Sequence, residues 1–343
     1  MAYTTINKPS DYFNTVLWTG DGTTKDITGV GFQPDWVWAK KRSATGFHAL
    51  ADSVRGGTKN IFSNSSGAEE TNATDWILSF ASDGFGVNSG GNLNQSSVTY
   101  VAWNWLASNS TASNTDGSIT STVSANTTSG FSIVSYTGTG SNATVGHGLG
   151  VVPKIIIVKR RDGAGDWTIY NEAIGNTNFL RLNSTLVSTS QATYWNNTSP
   201  TSSVFTVGSA GDVNTSSGTH IAYCFADVKG YSKFGSYTGN GSSDGTFVYT
   251  GFKPAFVIVK RTDSANAWHL FDNKRNTFNP NDKGLFPDTT DAENTGNQID
   301  FLSNGFKFYS ADGGYNASGG SYIYMAFAEE PFVTSTGIPG TAR

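Results

Sequence analysis

The chain has 343 residues, a formal net charge of −4 and only 14% charged residues; its length exceeds what one hydrophobic core usually supports and predicts two or three domains. Aromatic residues make up 13% of the chain and glycine occurs 40 times, which favours strands and turns over helices. The acidic balance argues against a nucleic-acid-binding protein, and no apolar run approaches the roughly 20 residues that cross a bilayer, so membrane insertion is not expected.

The N-terminal sequence MAYTTINKPSDYF has neither a basic region nor an apolar stretch. It is therefore not a secretory signal, and the chain is expected to fold in the cytoplasm of the cell that makes it. The single cysteine, Cys224, lies in the apolar segment IAYCFA and is expected to be a buried, inert thiol.

Three motifs recur along the chain with fixed spacing. The first is aromatic-Thr-Gly-x-Gly, at residues 18–22, 136–140 and 237–241. The second is Gly-x-x-Pro, followed by an apolar run that ends six residues after the proline, at Lys40, Lys159 and Lys260. The third is a closing strand whose first and last rings are five residues apart, in YVAWNW, HIAYCF and YIYMAF. The chain thus contains three tandem copies of one unit: copy 1 at 12–107, copy 2 at 131–228 and copy 3 at 231–333.

The strands within a copy can be read from short apolar runs. IIIVK at 155–159 and FVIVK at 256–260 are typical of strands buried on both faces, and Asp-Gly turn signals recur between such runs. The predicted fold is all-β, with three tandem antiparallel β-sandwich repeats of the jelly-roll or concanavalin-like kind.

The segments between and after the copies differ in composition. Residues 108–130 are rich in Ser, Thr and Asn, which predicts a flexible linker, although the alternation in GSITSTVSANTT leaves an ordered strand open. Only Lys229 and Gly230 separate copies 2 and 3, so those two should pack rigidly. Residues 334–343 form a small polar tail that is expected to lie on a surface or a partner.

Enzymatic constellations are not evident. The four histidines are dispersed and the chain has no nucleophile elbow or phosphate loop, so no catalytic, cofactor-binding or metal-ligating residues are expected. Glycoside hydrolysis needs two facing carboxylates, but Glu69–Glu70 and Glu329–Glu330 are adjacent and would point to opposite faces of a strand.

The recurrent lysine has two interpretations. It could be a binding cation, but we favour a register-fixing pair with the Asp or Asn twelve residues later, in a hairpin. These residues are Asp52, Asn171 and Asp272. Asp52 with Arg55, and Asp272 with Arg275, are expected to clamp local turns, and copy 2 lacks this Asp-Arg pair.

Carbohydrate binding is the ligand hypothesis that the sequence supports best. Aromatic side chains can stack on sugar rings while neighbouring polar groups bind hydroxyls. The candidate residues are Trp167, Trp268, Asp166, Asn171, His269 and Asp272. The alternative, which we favour because both tryptophans recur at one repeat position, is that they belong to the core.

Four segments resemble a repeat family in virion and tail-fibre proteins of tailed bacteriophages, especially those of marine bacteria and cyanobacteria. They are INKPSDYFNTVLWTGDGTTKDITGVGFQPDWVWAKKR, DSVRGGTKNIFSN, ASDGFGV and MAFAEEPFVTSTGIPGTAR. The resemblance implies concanavalin-like lectin sandwiches, synthesis in the bacterial host cytoplasm, and a virion location with other virion proteins as partners.

The function expected from this resemblance is a non-enzymatic structural one, in a tail or head fibre or a decoration module that also contacts the host surface. We expect a homo-oligomer, with a trimer favoured. Only about ten residues precede copy 1, which favours a compact module over a long fibre. The alternatives are an adhesin that binds a host surface glycan and, less favoured, a glycan depolymerase.

Overall fold

A computed structural model describes residues 3–72, 74–296 and 298–340. The fold is all-β, and the strand neighbours within its sheets run antiparallel. Helical structure in the described residues is limited to single turns: α1 (Ala192–Trp195), α2 (Gly211–Asn214) and the 3₁₀ turns Pro9–Asp11 and Glu172–Ile174. Residues 341–343 of the predicted polar tail lie outside the described residues.

Copy 1 forms a larger and a smaller sheet. Its strands are β1 (Phe13–Thr19), β2 (Lys25–Thr28), β3 (Trp36–Lys41), β4 (Ala49–Asp52), β5 (Lys59–Phe62), β6 (Glu70–Thr71), β7 (Ile77–Ala81), β8 (Gly84–Val87) and β9 (Thr99–Trp105). The larger sheet has the order β1-β9-β3-β4-β5-β6 and the smaller one β2-β8-β7. The closing aromatic strand, β9, therefore lies between β1 and β3.

Copy 2 has the same central order and is extended by residues that precede it. The strands are β10 (Ala112–Asn114), β11 (Ser121–Asn126), β12 (Phe131–Thr137), β13 (Ala143–Gly146), β14 (Ile155–Arg160), β15 (Thr168–Asn171), β16 (Asn178–Arg181), β17 (Thr189–Ser190), β18 (Val204–Val207) and β19 (Thr219–Phe225). The larger sheet has the order β10-β11-β12-β19-β14-β15-β16-β17, and β13 pairs with β18.

The segment 108–130 is thus not the flexible linker that its composition predicts. It contributes β10 and β11 to the edge of the copy 2 sheet, where Val123 lies opposite Val134 of β12. Val123 and Ile119 are buried in the core of copy 2. The alternation of β-branched and small residues, rather than the polar composition, determines the structure here.

Copy 3 repeats the arrangement once more. Its strands are β20 (Ser232–Thr238), β21 (Phe247–Tyr249), β22 (Phe252–Arg261), β23 (His269–Asp272), β24 (Ile299–Leu302), β25 (Gly305–Phe308) and β26 (Ser321–Pro331). The larger sheet has the order β20-β26-β22-β23 and the smaller one β21-β25-β24. In each copy the closing strand pairs with the first strand of the copy and with the strand that carries the recurrent lysine one residue before its end.

The aromatic-Thr-Gly-x-Gly motif is explained by a ring stack. Its aromatic ring lies nearly parallel to the first ring of the closing strand, with centroids 5.0, 5.1 and 4.9 Å apart in copies 1, 2 and 3. The stacked pairs are Trp18 with Tyr100, Tyr136 with His220, and Tyr237 with Tyr322. Such stacking holds the turn of the motif against the closing strand of the same copy.

The first glycine of the motif is required by a close approach of two backbone segments. A Cβ atom on Gly20 would lie 2.1 Å from the Gln95 carbonyl oxygen, and the equivalent contacts of Gly138 and Gly239 are 2.3 and 2.4 Å. No side chain fits there without moving the neighbouring backbone. The repeated glycine is therefore a packing requirement of the turn.

Buried apolar residues form one cluster inside each copy and a fourth cluster shared by all three. In β14 the residues alternate: Ile156 and Val158 face the core of copy 2, while Ile155 and Ile157 face the shared cluster. The lysine-ended strands are thus buried on both faces, as their continuous apolar sequence predicts. The shared cluster includes Trp36 and Trp105 of copy 1, Tyr223 and Phe225 of copy 2, and Phe256 and Phe327 of copy 3. The larger sheets of the three copies therefore meet in a common core.

Candidate functional site

The three recurrent lysines are buried, and each joins its own copy to a neighbour. Their exposed fractions are all 0%. Each Nζ donates to a backbone carbonyl of another copy: Lys40 to Thr290 at 3.2 Å, Lys159 to Ser66 at 3.2 Å and Lys260 to Thr185 at 3.0 Å. Burial lowers the pKa of each lysine to about 8.

These contacts close a ring. The lysine of copy 1 bonds to copy 3, the lysine of copy 3 bonds to copy 2, and the lysine of copy 2 bonds to copy 1. The same three carbonyls also accept the backbone N–H six residues after each lysine, at Gly46, Gly165 and Asn266. We name the three contact regions seam 1–2, seam 2–3 and seam 3–1 after the copies that they join.

The lysines do not pair with the Asp or Asn twelve residues later, contrary to the favoured sequence interpretation. In the hairpin of β3 and β4, Asp52 lies opposite Trp36 rather than Lys40. The lysine is four residues further along the strand, or about 13 Å away. The same register places Asn171 opposite Ile155, and Asp272 opposite Phe256.

Seam 1–2 contains a buried ionic network. Arg55 pairs with Asp52 through Nε and with Glu69 through Nη1 at 3.1 Å, and both members of the Arg55–Asp52 pair have fully buried side chains. Copy 2 supplies the remaining members: the Tyr223 hydroxyl donates to Asp52 at 2.7 Å, and Arg161 Nε lies 2.9 Å from Glu69. The local clamp predicted from Asp52 and Arg55 is therefore also a contact between copies.

Electrostatics inside seam 1–2 favours the charged forms. Burial alone would lower the pKa of Arg55, but its electrostatic interactions with Asp52, Tyr223 and Glu69 outweigh this effect and raise that pKa. Burial likewise opposes ionisation of Glu69, yet Arg161 and Arg55 lower its pKa overall. Opposite charges and hydrogen bonds thus compensate desolvation on both sides of the network.

Seam 3–1 repeats this network with one substitution. Arg275 pairs with Asp272, and its Nη1 lies 3.2 Å from Glu293. Copy 1 supplies Arg42, whose Nε lies 2.9 Å from Glu293, and Trp103, whose indole N–H donates to Asp272 at 3.0 Å. Trp103 thus replaces the Tyr223 of seam 1–2 as the aromatic side chain that donates a hydrogen bond to the buried aspartate.

Seam 2–3 has the same backbone contact but neutral side chains. The Ser188 N–H donates to the Thr262 carbonyl at 3.0 Å, as Glu69 does to Arg161 and Glu293 to Arg42. The positions that carry Asp, Arg, Glu, Arg and an aromatic donor at the other seams hold Asn171, Ile174, Ser188, Thr262 and Met325. All five members of the network are thus replaced together. An apolar cavity lined by Ile157, Leu182, Ile258, Trp268 and Met325, among others, lies at this seam.

The six residues proposed for glycan binding lie mostly within these seams. Trp167 is fully buried and its indole N–H donates to the Phe62 carbonyl of copy 1 at 2.7 Å, while Trp268 is 4% exposed and donates to the Arg181 carbonyl of copy 2 at 2.9 Å. A sugar could stack on either ring only if the copies separated.

The other four candidates are held by internal partners. Asn171 and Asp272 are buried, and each accepts backbone N–H groups of the turn that follows. His269 is also buried, which lowers its pKa to about 4. Asp166 is partly exposed and pairs with Arg181 at 2.8 Å.

Three buried asparagines lie outside the sequence motifs described above. The backbone carbonyl of Asn94 accepts the Gly22 N–H at 2.8 Å, and the side-chain amide also bonds to the turn. Asn214 and Asn316 make equivalent contacts. Each stands six residues before the first ring of the closing strand, a spacing that could have identified them.

Other candidate chemistries find little support. Cys224 is buried, and burial raises the pKa of its thiol. The described residues contain no group of three or more His, Cys, Asp or Glu positioned to hold a metal ion. Within the same residues, no helix has the length and apolar character needed to cross a membrane.

Comparison with known proteins identifies a family but no activity. The family model described as "Domain of unknown function (DUF7483)" matches residues 8–331. No curated protein and no solved structure matches the chain. This match spans copies 1 and 2, the segment between them, and copy 3 up to residue 331.

Proposed function

The chain belongs to this family of unknown function, and from its architecture we propose that it is a non-enzymatic structural protein of a bacteriophage virion. It would be made in the host cytoplasm and incorporated as a head or tail decoration module or as part of a fibre. In this proposal each copy is a concanavalin-like β-sandwich unit, and other virion proteins are its partners.

The main observation in support of the proposal is that the three copies form a closed ring around one shared hydrophobic core. Sheets of all three copies bury their inner faces in that core, and two of the seams are fixed by buried ionic networks. In our proposal these networks hold the copies in one arrangement, because separating them would leave buried charges without partners, and the densely packed core has low compressibility. A rigid module is compatible with a place on a particle surface, and the resemblance of the sequence to virion proteins supports the same proposal.

A homotrimer remains part of the proposal, with its contacts on the outer surfaces. The inner sheet faces are occupied by the chain's own core, so a second chain would contact the smaller sheets, the loops or the edges. Light scattering of the purified chain, whose mass is 36.4 kDa, will distinguish a trimer from a monomer.

Localisation on purified particles tests the virion role. We expect the chain to be detected in washed virions at a fixed copy number and to be visible as a compact density on the head or the tail in a particle reconstruction. Absence of the chain from washed particles, together with its presence in the lysate, would reject the proposal.

Host attachment is a second candidate role. It is supported by an open pocket at the junction of copies 2 and 3, which carries exposed tyrosine and lysine side chains. A distal tail position would favour this role, whereas even coverage of the capsid would contradict it.

A further inference from the structure

An open pocket of about 540 Å³ lies where the N-terminal segment, the junction of copies 2 and 3 and strand β21 meet. This volume is within the range of small-molecule sites. Its lining includes Tyr3, Asp227, Lys229, Lys233 and Tyr249. The pocket lies outside the seam networks, and none of its side chains belongs to them.

The wall of the pocket is fixed by the N-terminal segment. The Tyr3 hydroxyl donates to the Gly251 carbonyl at 2.7 Å, and the Thr4 hydroxyl donates to the Lys229 carbonyl at 2.7 Å. Gly251 has a φ of +82°, and a Cβ there would lie 2.9 Å from the Tyr3 hydroxyl oxygen. These contacts hold the segment against both sides of the junction.

The charge in the pocket is positive although the chain is acidic. Lys233 pairs with Asp227. Lys229 is exposed, and its Nζ lies 4.4 Å above the centre of the Tyr3 ring. Among the described residues no carboxylate lies within ion-pair distance of Lys229, so its ammonium group is available to an anionic ligand.

The aromatic surface beside Lys229 is specific to copy 3. Tyr249 is 55% exposed and Phe247 is 43% exposed. They alternate with buried Val248 on β21, so both face outward about 7 Å apart. Strand pairing places Thr28 of copy 1 and Gly146 of copy 2 at the position of Tyr249. The ring of Tyr249 is therefore not part of the pattern that the three copies share.

We propose that this pocket binds an acidic sugar residue of a surface glycan. The apolar face of the sugar stacks on Tyr249, its carboxylate contacts Lys229, and Phe247 extends the platform toward the next sugar unit. The proposal deepens the host-attachment role and rests on it. The class of ligand follows from an aromatic face next to a cation without a carboxylate partner.

Calorimetric titration of the full chain with a uronic-acid tetrasaccharide and a neutral glucose tetrasaccharide tests the site. We expect the wild type to bind the acidic sugar at least tenfold more tightly than the neutral one, and we expect Tyr249→Ala and Lys229→Met each to weaken binding on the order of tenfold. Lys229→Arg should restore most of the affinity, because it keeps the charge.

Phe278→Ala is the matched control, since Phe278 is 77% exposed and does not line the pocket. It should bind like the wild type, and thermal melting should show all variants folded. No binding of the acidic sugar, equal binding of both sugars, or full binding by both pocket variants would overturn the proposal. None of these outcomes would reject the proposed virion location, because that location is tested separately by detecting the chain in washed particles.

Discussion

Arg55 and Arg275 are buried cations that depend on partners from two copies. Replacing Arg55 with Met leaves the Asp52 carboxylate buried with only the Tyr223 hydroxyl and local N–H groups as partners. Removal of one member of a buried ion pair costs about 3–5 kcal/mol. We therefore expect Arg55→Met to lower the free energy of unfolding by that amount in urea denaturation.

Ile174 provides the matched control, because it occupies the same position in copy 2 and packs against the shared core. Ile174→Met exchanges one apolar side chain for another of similar size and should cost less than about 1.5 kcal/mol. Similar losses for the two variants would show that the network adds nothing beyond packing.

The three buried lysines predict a pH dependence of stability. Their pKa in the folded chain is about 8, below the ordinary value of about 10.4 for the unfolded chain. Between these values each lysine binds more protons in the unfolded chain than in the folded chain, so each contributes a rise in stability with pH, of up to about 1.4 kcal/mol per pH unit.

Urea denaturation between pH 7 and 8.5 measures this slope, because tyrosines of the unfolded chain, with a pKa of about 10, remain almost fully protonated there. Lys260→Met removes one of the three groups and should reduce the slope by up to one third. A slope of zero or of opposite sign in the wild type would contradict the effect of burial on these lysines.

The sequence predicts the position of each lysine but not its partner. The repeated spacing after the proline identifies Lys40 as special, yet its acceptor, the Thr290 carbonyl, is 250 residues away in the chain. Asp52 is close to Lys40 in the sequence, and local spacing therefore favours Asp52 as the partner. Contacts between copies depend on how the sheets pack, which local spacing does not encode.

At the scale of elements, Trp167 and Trp268 each stand one residue before a strand, and their indole groups donate to a carbonyl of the preceding copy. Trp268→Phe removes the N–H that bonds to the Arg181 carbonyl and leaves a buried acceptor without that donor. We expect a loss of about 1–3 kcal/mol in the free energy of unfolding, with sugar binding unchanged in the calorimetric titration.

The equivalent residue of copy 1 is His48, which is buried; its neighbour Phe47 is 44% exposed and supplies a surface control. Phe47→Leu should change stability by no more than about 0.5 kcal/mol. If Trp268→Phe instead kept full stability and abolished sugar binding, the tryptophan would be a ligand contact rather than a structural one.

Strand patterns in the sequence were most informative where both faces are buried. IIIVK and FVIVK become β14 and the end of β22, because continuous apolar residues suit a strand between two cores. Residues 108–130 were harder to interpret, since their composition and their alternation predict different structures. Val123 and Ile119 are buried there, and two such side chains have little effect on an average composition.

At the scale of the whole molecule, the ionic networks occur at the seams that have no short connection. Copies 2 and 3 are joined through Lys229 and Gly230 alone, and their seam is neutral. Copies 1 and 2 are joined covalently by a longer segment, residues 108–130. Copies 3 and 1 are not consecutive in the chain, so only the noncovalent contacts of the closed ring of copies hold them together. A short connection gives two copies a high effective concentration relative to each other. Copies 2 and 3 therefore need less stabilisation from side-chain contacts across seam 2–3 to stay associated. The sequence shows that copy 2 lacks the Asp-Arg pair. The physical reason becomes clear only from the way in which the three copies are arranged and connected.

Cutting the chain between copies 1 and 2 tests whether the seams hold the ring without that connection. A protease site inserted after Asn109, which is exposed, would divide the folded chain into residues 1–109 and 110–343. We expect the two parts to co-elute in size-exclusion chromatography at micromolar concentration, because copy 1 keeps both networks and its share of the common core. With Arg55→Met and Arg275→Met together, both networks lose their central cation, and the cut parts should separate while the uncut variant keeps its elution volume. Separation of the cut wild type would mean that the covalent connection, rather than the seams, holds copy 1 in place.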